Sequence, residues 1–178
     1  MKKTLAILMA LVMAFAAAAA LAEGSEGPVF TGGVQFNMDM DQVMGLVDLP
    51  NPEIESEKTR GTVEFYELEY EHVTDDEGFS ADIKYLFVGN GLVALHFDMA
   101  DGTSYDHVRE QLTAVYGEAV PFDAAKIGSG KYAIDDDGDL KDCREMIEAQ
   151  GLTIVLEQDD DGDVDVTMLD PSAAYINN

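Results

Sequence analysis

The chain has 178 residues, with 36 Asp and Glu against 10 Lys and Arg, and a formal net charge of −26. So acidic a surface excludes nucleic acid and anionic lipid as natural partners, because both are bound by basic surfaces. The single cysteine, Cys143, excludes an intrachain disulfide, so the fold must be held by its core.

Met1-Lys2-Lys3 leads into an uncharged run from Thr4 to Ala22 that ends in Ala20-Leu21-Ala22. This pattern predicts a secretory signal peptide over 1–22, cleaved after Ala22. It implies a secreted, periplasmic or cell-envelope protein with no membrane span after cleavage. No cysteine lies near the cleavage site to carry a lipid. Loss of Lys2 and Lys3 takes the charge from −26 to −28. The expected divisions are a flexible leader at 23–29, a single domain at 30–170 and a loose polar tail at 171–178.

The first helix signal is Asp39-Met40-Asp41-Gln42, where Asp39 can cap and Gln42 can reach back to it. Pro50 and Pro52 end that helix, and Asn51 to Arg60 reads as a polar loop. Three strands follow, with Tyr66, Leu68 and Tyr70 on one face, then Ile83, Tyr85 and Phe87, then Val93, Leu95, Phe97 and Met99. A second helix is expected from about Ser104 to Tyr116, ended by Gly117. A third is expected over Leu140 to Gln150, capped by Asp139, with Leu140, Cys143 and Ile147 as its apolar stripe. That stripe makes Cys143 a buried thiol. A last hairpin joins Leu152–Gln158 to Asp163–Leu169. The expected fold is α+β, with helices on one face of an antiparallel sheet of about five strands, arranged as helix–strand-meander units.

Inward residues must face inward residues, and this sets the register. Phe87 is expected opposite Val93, and Tyr85 opposite Leu95, across a three-residue Gly89-Asn90-Gly91 loop. The outer face then has rows of Phe65, Val88 and Leu92; of Glu67, Leu86 and Ala94; of Glu69, Lys84 and His96; and of Glu71, Asp82 and Asp98. One end is apolar and the other charged. With no covering element in view, Phe65, Leu86, Val88, Leu92, Ala94 and His96 are the candidate contact surface for a protein or other macromolecule.

Phe30-Thr31-Gly32-Gly33-Val34 before a helix, a short strand meander, and Val115-Tyr116-Gly117-Glu118-Ala119-Val120-Pro121 together resemble two kinds of small bacterial envelope domain. One is the β-lactamase-inhibitor-protein type, the other the SmpA/OmlA outer-membrane lipoprotein type. The resemblance implies a non-enzymatic binding module that uses an open sheet face.

The residues offer little enzyme chemistry. His72, His96 and His107 have no metal-ligand spacing and neighbour no nucleophile motif. Gly128-Ser129-Gly130-Lys131 lacks a full phosphate-loop pattern. No two carboxylates can be placed across a cleft, which leaves a small hydrolase as the second alternative. The pentapeptide DDDGD occurs twice, at 135–139 and 159–163. Neither copy fits a helix–loop–helix calcium loop: one would need Arg144 as the anchoring acid, the other Met168. In the last hairpin, however, Leu156 must face Val166, so Asp159 opposes Asp163 and Glu157 opposes Asp165. These four carboxylates are the candidate calcium ligands, and calcium is the only cofactor the residues suggest. The expectation otherwise is an exposed acidic turn and no cofactor.

Overall fold

The structure is a computed structural model that describes residues 28–60, 63–74, 80–134, 139–149 and 151–172. The expected signal peptide, nearly all of the leader, residues 135–138 of the first DDDGD copy and residues 173–178 of the tail lie outside the described residues. The elements are α1 (Met40–Leu46), β1 (Glu53–Arg60), β2 (Val63–Thr74), β3 (Ser80–Val88), β4 (Gly91–Met99) and α2 (Tyr105–Tyr116). They continue with β5 (Val120–Pro121), α3 (Ala124–Ile127), β6 (Cys143–Ala149), β7 (Leu152–Gln158) and β8 (Val164–Leu169). Short 3-10 turns occupy Thr31–Gly33 and Gly128–Ala133.

The class is α+β with an antiparallel sheet, as expected. The sheet has eight strands rather than about five, in the order β1-β2-β3-β4-β8-β7-β6-β5. Two strands account for most of the difference. Residues 53–60 form an edge strand where a loop was expected. Residues 143–149 form β6 where a third helix was expected. There the helical spacing of Leu140, Cys143 and Ile147 is a coincidence of composition. Ile147 instead pairs with Ile154 across a hairpin turned at Gly151, whose φ of 76° suits glycine. Asp139 still accepts the Lys141 N–H, but in a turn rather than a helix cap. Cys143 is half-buried on β6.

The inner face carries the main core. Leu68, Tyr70, Ile83, Tyr85, Phe87, Leu95, Phe97, Ile154, Leu156, Val166 and Met168 project from the strands, and Val43 of α1 with Val108 and Leu112 of α2 close over them. Both helices begin as their sequences require. Asp39 and Gln42 form a complete capping box, and the Ser104 side chain accepts the His107 N–H. Gly117 ends α2 at φ 109°, and its N–H reaches the Thr113 carbonyl. Glu145 on β6 ties α2 to the sheet by accepting from the Tyr105 hydroxyl (3.1 Å) and from Arg109 at both Nε and Nη2.

Most of the expected register is present: Leu68 faces Tyr85, Tyr85 faces Leu95 and Leu156 faces Val166. Two bulges alter it. In the β3–β4 hairpin Phe87 pairs with Leu92 and Val88 with Gly91, leaving a two-residue Gly89-Asn90 loop. The extra residue, Val93, joins Ala94 in the outer cluster, while Leu92 turns inward. Neighbouring segments satisfy the displaced backbone groups. The Leu92 N–H meets the Met38 carbonyl, the Leu92 carbonyl meets the Asn37 N–H, and the Val93 carbonyl meets the Asp170 N–H. A second bulge lies between Tyr70 and Val73 on β2. It removes Glu71 from its expected place opposite Asp82, and there the His72 N–H binds the Asp82 carboxylate instead.

Candidate functional site: the outer face of the sheet

The apolar end of the outer face is covered by the chain itself. Ile127 of α3 and Ala133 of the following 3-10 turn pack in one buried cluster with Val93, Ala94, Val155 and Leu169. Leu86, Val88, Phe122, Ile134, Leu140 and Cys143 pack around it. The turn lies close on β8, since a Cβ on Gly130 would stand 2.7 Å from Leu169 Cδ2. This second layer explains why β7 is buried on both faces from Leu152 to Glu157.

The six expected contact residues are therefore divided. Leu92 is fully buried on the opposite face, and Ala94 is fully buried beneath the cover. Leu86 and Val88 are half-buried against it. Phe65 is half-buried on β2, and His96 half-buried on β4. An apolar docking face made from this set is not available, because residues 122–134 already bury its centre.

Two polar rows cross the rest of the outer face. In the first, Glu69, Lys84, His96 and Thr167 stand side by side on β2, β3, β4 and β8. Lys84 Nζ lies 3.4 Å from Glu69 and 3.8 Å from Glu67. Burial opposes the Lys84 charge, but the two glutamates outweigh it and hold the pKa above its ordinary value. The Thr167 hydroxyl donates to Glu157 (3.1 Å), so its oxygen is left to accept from His96 Nδ1 at 3.0 Å. His96 thereby has its proton on Nδ1. Burial, then Lys84, pushes its pKa down to about 4, so the ring is neutral at ordinary pH.

The second row is acidic. Asp82, Asp98, Asp165 and Glu157 occupy successive register positions on β3, β4, β8 and β7. Asp98 is exposed and Asp82 and Asp165 are half-buried. Burial, then Asp98 and Asp159, raises the Asp165 carboxyl to about 7. Burial, then Asp82, raises Asp98. Asp82 is held low despite its burial, because His72 hydrogen-bonds it from both backbone and ring. The glutamates, Lys84 and His96 fall where the β2–β4 register puts them. Asp165 and Thr167 join them only through the β4–β8 pairing, a long-range contact with no local signal.

At the last hairpin tip the register is as expected, with Glu157 opposite Asp165 and the Asp159 N–H on the Asp163 carbonyl. Asp159 is committed to the turn. Its Oδ1 accepts the N–H groups of Asp161, Gly162 and Asp163 at 2.8–2.9 Å. Glu157 is buried under the Thr167 hydroxyl. Among the described residues, no group of three or more His, Cys, Asp or Glu side chains is placed to hold a metal ion.

Among the described residues, open grooves also lie elsewhere. One of about 310 Å³ is lined by Asp39, Met40, Tyr66, Phe87 and Asn90, and one of about 430 Å³ by Phe36, Asn37, Gly151, Asp170 and Pro171. Neither contains a histidine. His107 is exposed on α2 and meets Gln111, and the exposed His72 meets Asp82. Among the described residues no helix is long and apolar enough to cross a membrane. No family model, no curated protein and no solved structure matches the chain.

Proposed function

We propose that the protein is a secreted or cell-envelope, non-enzymatic binding module that docks a basic protein through the charged half of its outer sheet face. The observation that carries this reading is the register row Asp82–Asp98–Asp165, set beside the cover rather than under it. Carboxylates directly opposite one another destabilise a sheet. A partner that brings lysine or arginine to this row offsets that cost and gains orientation from charge complementarity. The net charge of −26 steers the same class of partner from a distance. The resemblance to small envelope binding domains points the same way.

Calorimetric titration with a lysine-rich peptide, at low and then at physiological ionic strength, tests the reading. Binding is expected at low salt, weakened by salt and several-fold weaker for the double variant Asp98→Asn/Asp165→Asn. Equal binding by that variant, or no binding at low salt, would overturn it.

A further inference from the structure

The bulge at the start of β4 leaves backbone groups of Leu92 and Val93 outside the β4–β8 ladder, which begins at Ala94. Those groups hold two other segments. The Leu92 carbonyl accepts the Asn37 N–H at 2.8 Å, and the Leu92 N–H donates to the Met38 carbonyl at 2.9 Å. The Val93 carbonyl accepts the Asp170 N–H at 2.9 Å. Residues 35–37 and 170–172 are thereby fixed as neighbouring walls, and the groove of about 430 Å³ is lined by both. A bulge used in this way positions backbone beside a site.

One wall carries a buried charge. Asp170 is only 8% exposed. Its Oδ1 accepts the Ser172 N–H at 2.8 Å. Among the described residues nothing donates to its Oδ2, and no basic side chain lines the groove. The two other buried carboxylates among the described residues are compensated, Glu69 by Lys84 at 3.4 Å and Glu157 by the Thr167 hydroxyl at 3.1 Å. A buried carboxylate costs stability unless donors or a counter-charge meet it. Asp170 lines the groove, so a ligand there can supply what the fold does not.

Donor geometry narrows the ligand. A guanidinium prefers both oxygens of a carboxylate, and Oδ1 is already engaged. An ammonium meets a carboxylate as a point charge and has three donors. Gln35 and Asn37 carry amide oxygens for its other two N–H groups. Phe36 and Pro171 offer apolar surface to the methylene stem that bears it. The net charge of −26 raises the local concentration of any such cation.

We infer that this groove binds a primary alkylammonium group, the end of a lysine side chain or of a free polyamine, with Asp170 as its counter-charge. The inference is independent of the basic-partner reading. The groove lies at the start of β4 and the end of β8, whereas Asp98 and Asp165 stand near the opposite ends of those strands.

Protein-detected NMR titration of the protein expressed from its full coding sequence, at physiological ionic strength, tests it. The probes are cadaverine, Nα-acetyl-lysine methylamide and, as a cation without N–H groups, tetramethylammonium. Saturable shifts of the Asn37, Gly151 and Ser172 amides are expected with one or both amines and not with tetramethylammonium. Tighter binding of cadaverine assigns the groove to free polyamines, and tighter binding of the lysine derivative assigns it to a peptide. Asp170→Asn keeps an acceptor for the Ser172 N–H and is expected to bind about tenfold more weakly. Asp160→Asn removes the same charge from an exposed turn and is expected to bind as the wild type does. Ser172→Trp fills the groove without touching the carboxylate and is expected to block binding, which decides the matter if Asp170→Asn lacks an intact thermal transition. No saturable shift from either amine, equal shifts from tetramethylammonium, or wild-type binding by a folded Asp170→Asn or Ser172→Trp variant overturns the inference.

Discussion

Asp98 on β4 and Asp165 on β8 stand directly opposite each other on the outer face, two carboxylates in register at the centre of the sheet. Water does not fully separate them, because Asp165 is half-buried. Asp82 extends the row on one side and Glu157 on the other. The nearest compensating charge, Lys84, is already engaged with Glu67 and Glu69. The strain is relieved by a proton, and so the row ties stability to pH.

The first prediction concerns that proton. Folding raises the Asp165 carboxyl to about 7 through burial and its acidic neighbours, and Asp98 is raised as well. The folded state therefore binds a proton more tightly than the unfolded chain does. The resulting stabilisation is fully present below the ordinary carboxylate range and is lost as pH rises through about 7. Asp165→Asn removes the part of the dependence that Asp165 contributes. In urea unfolding the variant should exceed the wild type at pH 8 by on the order of 1 kcal/mol, with the gap closing towards pH 5. A variant less stable than wild type at pH 8 would show that the row carries no net repulsion.

The second prediction separates the histidines. His96 is pushed down to about 4 by burial and Lys84, whereas His72 is raised by its hydrogen bond to Asp82. An NMR titration of the ring protons should find the His96 midpoint below pH 5 and the His72 midpoint above its ordinary value. Stability linked to His96 has the opposite sign to that of Asp165: it is present above about pH 6.5 and lost as pH falls through about 4. A His96 ring that titrates near 6.5 would mean that the Glu157–Thr167–His96 chain is open to water.

The third prediction tests the cover over the apolar end. Ile127 is fully buried against Ala94, Val155 and Leu169. Ile127→Ala should cost about 2–5 kcal/mol, the range for a large-to-small change in a closed core. It should also expose Leu86 and Val88, so the folded variant should bind a hydrophobic dye that the wild type does not. A loss under 0.5 kcal/mol would mean that the segment from Phe122 to Ala133 rests only loosely on the sheet.

How legible this arrangement is in the sequence depends on the residues concerned. Tyr66, Leu68 and Tyr70 alternate with glutamates, so their face and register follow from periodicity alone, as do those of Leu156 and Val166. Leu92 does not, because a bulge one residue long reverses the face of everything up to the turn. Strand β1 is charged or small and polar at every position but Ile54, and nothing local distinguishes it from a loop until β2 supplies its partner. Ile127 and Ala133 lie among small and polar residues with no period, so the cover over the outer face is visible only in three dimensions. The charged half of the site was legible across β2, β3 and β4. Its extension to Asp165 and Thr167 rests on the β4–β8 pairing, which joins residues some seventy positions apart.

The fourth prediction concerns the hairpin tip. Asp159 holds the turn by accepting three backbone N–H groups, a network that a calcium ion would have to displace. Asp159→Ala leaves those groups to water and should cost about 1–2 kcal/mol, whereas Asp159→Asn keeps one acceptor oxygen and should cost less. Millimolar calcium should leave the melting temperature of the wild type and both variants unchanged. A rise for the wild type that both variants lose would show that Asp159 exchanges its turn for a metal. The tip would then be a calcium site formed only by rearrangement of the loop.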